Sequence, residues 1–266
     1  MIPVEIHRGD SPIVLGLPHT GTHVPDDIQA RLNTRGQGLD DTDWHIHTLY
    51  DGLLPSATTV RATFHRYVID ANRDPSGVSL YPGQNTTGLV PLTDFNGQDI
   101  WDNAPTDAEV EARRQAFHAP YHAALEAELA RVRDLHGIAI LYDCHSIRSN
   151  IPFLFDGTLP DFNIGTNLGT TCAAQFEAAV QSLCQMADGY STVTNGRFKG
   201  GWTTRHYGRP TEGLHAIQME LAQSTYLTDE AAPWTYDDEK SARLRGHLKT
   251  ILTTLADLAP DLKGTS

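Results

Sequence analysis

Residues 106–142 constrain the fold more than any other stretch of the chain. Thr106-Asp107-Ala108-Glu109 has the form of a capping box, in which a threonine and a glutamate three residues on satisfy each other's backbone N–H groups at a helix start. Tyr121, Leu125, Leu129 and Val132 then recur at helical spacing, and Gly137 supplies a stop. The pattern predicts a helix over 106–136. The apolar run at 138–142 follows as a strand and delivers Asp143-Cys144-His145 at its end.

The same alternation recurs along the chain. Residues 13–17 form an apolar run that ends at Pro18-His19 and reads as a buried strand, and 216–221 read as another, carrying Glu220. Residues 59–64 and 67–69 are β-rich and flank the basic pair His65-Arg66. Helices are predicted over 43–54, with N-cap residues in 40–43, over 167–186, and over 237–258, where Leu244, Leu248, Ile251, Leu252 and Leu255 share one face. Strands alternating with helices predict an α/β layer structure with a largely parallel sheet. The polar, Gly- and Pro-rich stretch 72–103 is too long for a simple connection, and loops of that kind tend to be lids or binding loops. One domain over 1–266 is expected, since 266 residues suit one large core.

Charge narrows the partners. Twenty basic against 33 acidic residues leave a net charge of −13, which argues against nucleic acid or an anionic membrane as the main partner. An anionic ligand would need a local gathering of bases. No apolar run approaches the roughly 18 residues of a membrane span, so no membrane partner is expected. Residues 1–10 lack an apolar h-region, so no secretory signal is expected. Three cysteines without CxxC spacing fit the reducing cytoplasm better than a disulfide framework.

Ligands of open α/β sheets collect at the carboxyl ends of the strands. Three predicted strands end on His19, His145 and Glu220. Catalytic zinc takes about three nitrogen or oxygen ligands plus an open position, so two histidines and a carboxylate suffice and a further carboxylate can act as base. Each residue also has a plainer reading. His19 could cap a turn, and Glu220, between Met219 and Leu221, could be one half of a buried ion pair. His23 is the reserve ligand. Arg197, Lys199, Arg205 and Arg209 cluster in a Gly-rich stretch that is either an anion site or a solvated loop, and Arg73 either binds an anion or pairs with Asp74.

Several longer motifs carry a family resemblance. They are Pro18-His19-Thr20-Gly21-Thr22, Asp41-Thr42-Asp43-Trp44-His45-Ile46, Tyr67-Val68-Ile69-Asp70-Ala71-Asn72-Arg73, Asp143-Cys144-His145-Ser146-Ile147-Arg148-Ser149, Asn195-Gly196-Arg197-Phe198-Lys199-Gly200-Gly201 and Glu220-Leu221-Ala222-Gln223-Ser224-Thr225-Tyr226. In this order they resemble the N-formylglutamate amidohydrolase (deformylase) family, whose reaction is the last step of one route of histidine degradation.

That family is similar in fold to zinc carboxypeptidases, aspartoacylases and murein amidases. The resemblance therefore implies a single three-layer α/β domain of the phosphorylase/hydrolase-like kind, with a mixed, largely parallel sheet. It implies one zinc ion per chain, other divalent ions left open, held by His19, Asp43 and His145, with Asp41 and Asp40 as neighbours of the least settled ligand, Asp43. Glu220 is implied as the base. Asn72-Arg73 resembles the Asn-Arg pair that holds a substrate carboxylate in the related enzymes. Arg66, Arg197 or Arg205 would hold the second carboxylate, and Arg148 would assist at the oxyanion. The expected substrate is a small dianion, N-formyl-L-glutamate, hydrolysed to formate and L-glutamate. Hydrolysis of another N-acyl amino acid, or silent binding of an acidic metabolite, stands as the alternative, and the oligomeric state is open.

Overall fold

A computed structural model describes residues 2–79 and 85–263. Its centre is a seven-stranded sheet built from β1 (Val4–His7), β2 (Ile13–Leu17), β3 (Thr58–Ala62), β4 (Ala139–Ile147), β5 (Phe162–Gly165), β6 (Thr192–Thr194) and β7 (Leu214–Ala222). The strand order is β1-β3-β2-β4-β7-β5-β6. Strands β3, β2, β4 and β7 run parallel, β1 is antiparallel to β3, and β5 is antiparallel to β7. The sheet is thus mixed and largely parallel, as expected.

The helices are α1 (Asp26–Gln29), α2 (Thr34–Gln37), α3 (Ile46–Tyr50), α4 (Asp107–Arg113), α5 (Ala119–His136), α6 (Ala174–Gln185), α7 (Trp202–Tyr207) and α8 (Asp238–Leu258). Successive residues of β4 feed opposite cores, because strand side chains alternate between faces. Ile140, Tyr142 and Cys144 pack with α3, α6 and α8, while Ala139 and Leu141 pack with Tyr121, Leu125, Leu129 and Val132 of α5. Three layers result. The five apolar residues singled out on α8 are all at most 1% exposed.

The predicted helix over 106–136 forms with its capping box, in which Thr106 Oγ1 accepts from Glu109 N–H and Thr106 N–H donates to Glu109 Oε2. It is not uniform. A π turn, Arg114–His118, separates α4 from α5 just before Pro120, whose ring removes an N–H and displaces the preceding turn. The helix ends at Gly137 with φ 75°, the left-handed stop that glycine adopts without strain.

Other boundaries differ from expectation. The helix expected over 43–54 shrinks to α3, because the Asp43 N–H is spent on the His19 carbonyl at 3.1 Å and His45 caps the helix in a left-handed conformation with φ 58°. Residues 67–69 are buried but form no strand; a turn spans 66–68, with Val68 N–H donating to the His65 carbonyl. The helix expected over 167–186 starts only at Ala174, since Asn167, Leu168 and Gly169 are all left-handed. Strands β1, β5 and β6 were not expected; they are short edge or near-edge strands, β1 largely exposed, β6 half-buried and only β5 buried throughout, and none carries a long apolar run.

Candidate active site

The four adjacent parallel strands β3, β2, β4 and β7 all present their carboxyl ends on one side, and the loops and residues there form the site. His19 follows β2 by two residues, His145 lies near the end of β4, and Glu220 near the end of β7, in direct register with His145. Asp43 reaches the same point from the loop ahead of α3, anchored through its backbone to His19.

His19 Nδ1 and His145 Nδ1 lie 3.2 Å apart, and Asp43 Oδ2 is 3.8 Å from the first and 3.3 Å from the second. All three residues are buried, with ligand atoms within 4.8 Å of one another. The far side of each ring faces a buried carboxylate: His19 Nε2 is 2.7 Å from Asp70 Oδ1, and His145 Nε2 is 3.0 Å from Asp143 Oδ1. Asp143 is held in turn by the Thr204 hydroxyl at 3.0 Å. In neutral rings whose Nε2 carries the proton beside these carboxylates, both Nδ1 atoms are available as ligand atoms next to Asp43 Oδ2. Three electron-rich atoms aimed at one place, each histidine backed by a carboxylate, fit a divalent cation.

Electrostatics follow from the packing. Burial pushes the Asp43 carboxyl up, but the Arg66 guanidinium at 2.6 Å and the two imidazoles outweigh it and hold it well below the usual range. Burial pulls His145 down, yet Asp143 and Asp43 outweigh that and raise it well above an ordinary imidazole. Glu220 differs: burial dominates, His145 and Arg66 only partly oppose it, and its carboxyl is raised from 4.5 to about 7. Asp41, the alternative ligand, is engaged elsewhere. It accepts from the Tyr67 hydroxyl at 2.8 Å and from Phe95 N–H at 2.9 Å. His23 pairs its backbone with Thr63 and Phe64 and stands outside the cluster.

A cavity of about 210 Å³ opens from these groups. His19, His145 and Glu220 lie at its base, and Arg66, Arg73 and Arg197 line it. One wall comes from the long polar stretch, including Asn85 to Leu89, and residues 80–84 of that stretch lie outside the described residues. Asn72 lines the cavity too, its Oδ1 accepting from Thr203 N–H and its Nδ2 3.3 Å from His145 Nε2. Arg73 donates to the Thr87 carbonyl, the Thr87 hydroxyl and the Asn72 carbonyl, so it also holds the cavity wall. Arg197 donates to the Leu154 carbonyl at 3.0 Å.

Two expected residues are placed elsewhere. Arg148 reaches Asn96 and Asp41, and Arg205 donates to the Gly200 carbonyl from α7; neither lines this cavity. Sequence reasoning passed over Asp70 and Gln218. The signal for Asp70 was its place at the end of the apolar run 67–69. Gln218, two residues before Glu220 on the same strand face, had a periodicity signal alone.

Comparison with known proteins follows the same lines. Residues 11–227 match the family described as N-formylglutamate amidohydrolase. The chain is 44% identical over 255 residues to the N-formylglutamate deformylase of Pseudomonas putida, covering 95% of each chain. It is 43% identical to the N-formylglutamate deformylase of Pseudomonas aeruginosa, again over 95% of each chain. Among solved structures it is similar to the N-formylglutamate amidohydrolase from Ralstonia eutropha JMP134, with a TM-score of 0.82 and 26% identity over 98% of this chain and 99% of that one. A gene product from Agrobacterium tumefaciens, at 17% identity and a TM-score of 0.71 over 96% of each chain, shares the fold.

Proposed function

The chain belongs to the N-formylglutamate amidohydrolase family, and on that premise we propose that it hydrolyses N-formyl-L-glutamate to formate and L-glutamate as one catalytic domain. The observation that carries the reading is the buried Glu220 carboxylate beside the His19, Asp43 and His145 cluster, at the base of a cavity lined by arginines. His19, Asp43 and His145 would hold one divalent cation per chain, and two imidazoles with one carboxylate suit zinc. Such an ion, when bound, acidifies water and polarises a carbonyl.

Glu220 does the proton work. A buried carboxylate beside the ion can take a proton from the attacking water and give it up again. The water oxygen adds to the formyl carbon while its proton passes to Glu220. The C–N bond then breaks, and the same proton goes to the departing amine nitrogen. Asp70 and Asp143, beside the two Nε2 atoms, would favour the tautomer in which each Nδ1 is free to hold the ion.

The substrate is a dianion approaching a chain of net charge −13, so anchoring falls to local cations. Arg66, Arg73 and Arg197 line the cavity and are assigned to the two carboxylates, with Asn72 beside them. Arg148 and Arg205 leave this assignment because of where they lie. On the same premise we propose a role in histidine degradation in the cytoplasm, a reading supported by the three buried free thiols, Cys144, Cys172 and Cys184, which fit a reducing compartment.

The test is formate release from N-formylglutamate, with N-acetylglutamate and N-acetylaspartate as competitors, before and after chelation. Preference for the formyl compound, about one zinc per chain, and loss of turnover with an unchanged circular dichroism spectrum are expected. Full activity of rigorously metal-free protein would overturn the metal assignment. Hydrolysis of the acetyl compounds without formate release would overturn the substrate.

A further inference from the structure

Gln218 precedes Glu220 by two residues on β7, so both side chains leave the strand on the same face. It is buried and lines the cavity. Its amide has no choice of orientation. The Gly201 backbone N–H donates to Oε1 at 2.7 Å, and a backbone N–H can only donate. The other end is therefore the NH₂ group, and Nε2 donates to Glu220 Oε2 at 3.0 Å.

Gly201 is itself confined. A Cβ at this position would fall 2.4 Å from Asn72 Nδ2 and 2.6 Å from Asn72 Oδ1, so any other residue would have to displace the Asn72 amide. Asn72 Oδ1 accepts from Thr203 N–H at 2.9 Å, which ties the start of α7 to the same group. Asn72, Gly201, Gln218 and Glu220 thus form a continuous row of contacts from α7 to the carboxylate.

The terminal torsion of a glutamate is broad and nearly two-fold, so an unrestrained carboxylate samples many orientations. A hydrogen bond on Oε2 removes that freedom and leaves Oε1 for the proton. The donor is neutral, so it orients the carboxylate without the strong loss of basicity that an adjacent arginine or lysine would impose.

We propose that Gln218 is a positioning residue for the hydrolytic reaction, whose amide, fixed by Gly201, holds Glu220 Oε2 and turns Oε1 toward the scissile amide. The proposal rests on the reading of Glu220 as the base.

The experiment compares Gln218→Met with wild type, each alone and combined with Glu220→Gln. Gln218→Asn, a polar residue too short to bridge both partners, serves as companion should the methionine variant fold poorly. Rates are normalised to folded, metal-loaded protein. Gln218→Met is expected to lower kcat by about 10- to 100-fold, the scale of a small misplacement of a catalytic group, with KM held within about twofold. Added to Glu220→Gln, the same change should cost less than about twofold, because the base it serves is already gone. A crystal structure of Gln218→Met should show the Glu220 carboxylate turned from its wild-type orientation.

An unchanged kcat, a KM effect without a kcat effect, or an equal loss in the Glu220→Gln background would each overturn the proposal. Failure of the wild type to release formate is a different result: it removes the reading of the substrate, and the Glu220 orientation in the variant crystal then decides about Gln218 by itself.

Discussion

Glu220→Gln keeps the shape of the side chain and removes its capacity to accept a proton. Two magnitudes follow from the site. Loss of a general base lowers kcat by roughly 10²–10⁴-fold, or about 3–5 kcal/mol of barrier. Stability moves the other way. Burial raises the Glu220 carboxyl from 4.5 to about 7 in the folded chain. An acid whose folded-state value lies above its unfolded value binds its proton more tightly when folded. Its contribution to stability is therefore full below about 4.5 and is lost as the pH rises through about 7. The whole gap corresponds to about 3 kcal/mol, and relaxation of the surroundings reduces it.

Glutamine carries no charge at any pH. In chelator-treated protein near pH 8, the variant should therefore be more stable than wild type by about 1–3 kcal/mol, a few degrees in Tm for a chain of this size. The difference should vanish near pH 4.5. Thermal unfolding at both pH values, zinc content and formate release on one preparation provide the assay. Lower stability at pH 8 together with retained turnover per folded molecule would show that Glu220 is half of a structural ion pair, and the reasoning would fail.

Three further outcomes are expected. Asp70→Asn removes the carboxylate behind His19 Nε2 and should weaken zinc binding by about 10- to 100-fold in a competition titration, with unchanged affinity refuting the orienting role. Arg73→Lys keeps the charge but loses the fork that spans Thr87 and Asn72, and kcat/KM should fall by on the order of 1–3 kcal/mol, whereas a kinetically silent Arg73→Ala would remove Arg73 from the site. Burial lowers His215 from 6.5 to about 4 while its Nδ1 accepts from Ala173 N–H, so its stability contribution is present above 6.5 and lost as the pH falls toward 4. His215→Asn retains an acceptor without a titration in that window, and a Tm profile as steep as that of wild type between pH 6.5 and 4.5 would contradict this.

Short-range physics was legible in the chain itself. The capping box at Thr106, the stop at Gly137, the apolar face of α8 and the buried runs of β2, β4 and β7 are each decided within a few residues, by hydrogen bonds and periodicity that a linear sequence displays. The alternation of these elements was enough to predict a largely parallel sheet, and hence that His19, His145 and Glu220 would share one end of it. What the linear order could not display was partnership across long separations. Asp43 rather than Asp41 faces the histidines because its carboxylate is gripped by Arg66 and by Ser146 N–H, while Asp41 is drawn to Tyr67 and Phe95. Arg148 carries the same charge as Arg66, yet only packing sends one to the cavity and the other to Asn96. Asp70 behind His19, and Gln218 between Gly201 and Glu220, acquire their roles only when parallel strands set the register and loops close over them, because a buried polar group takes its function from the partner the fold supplies.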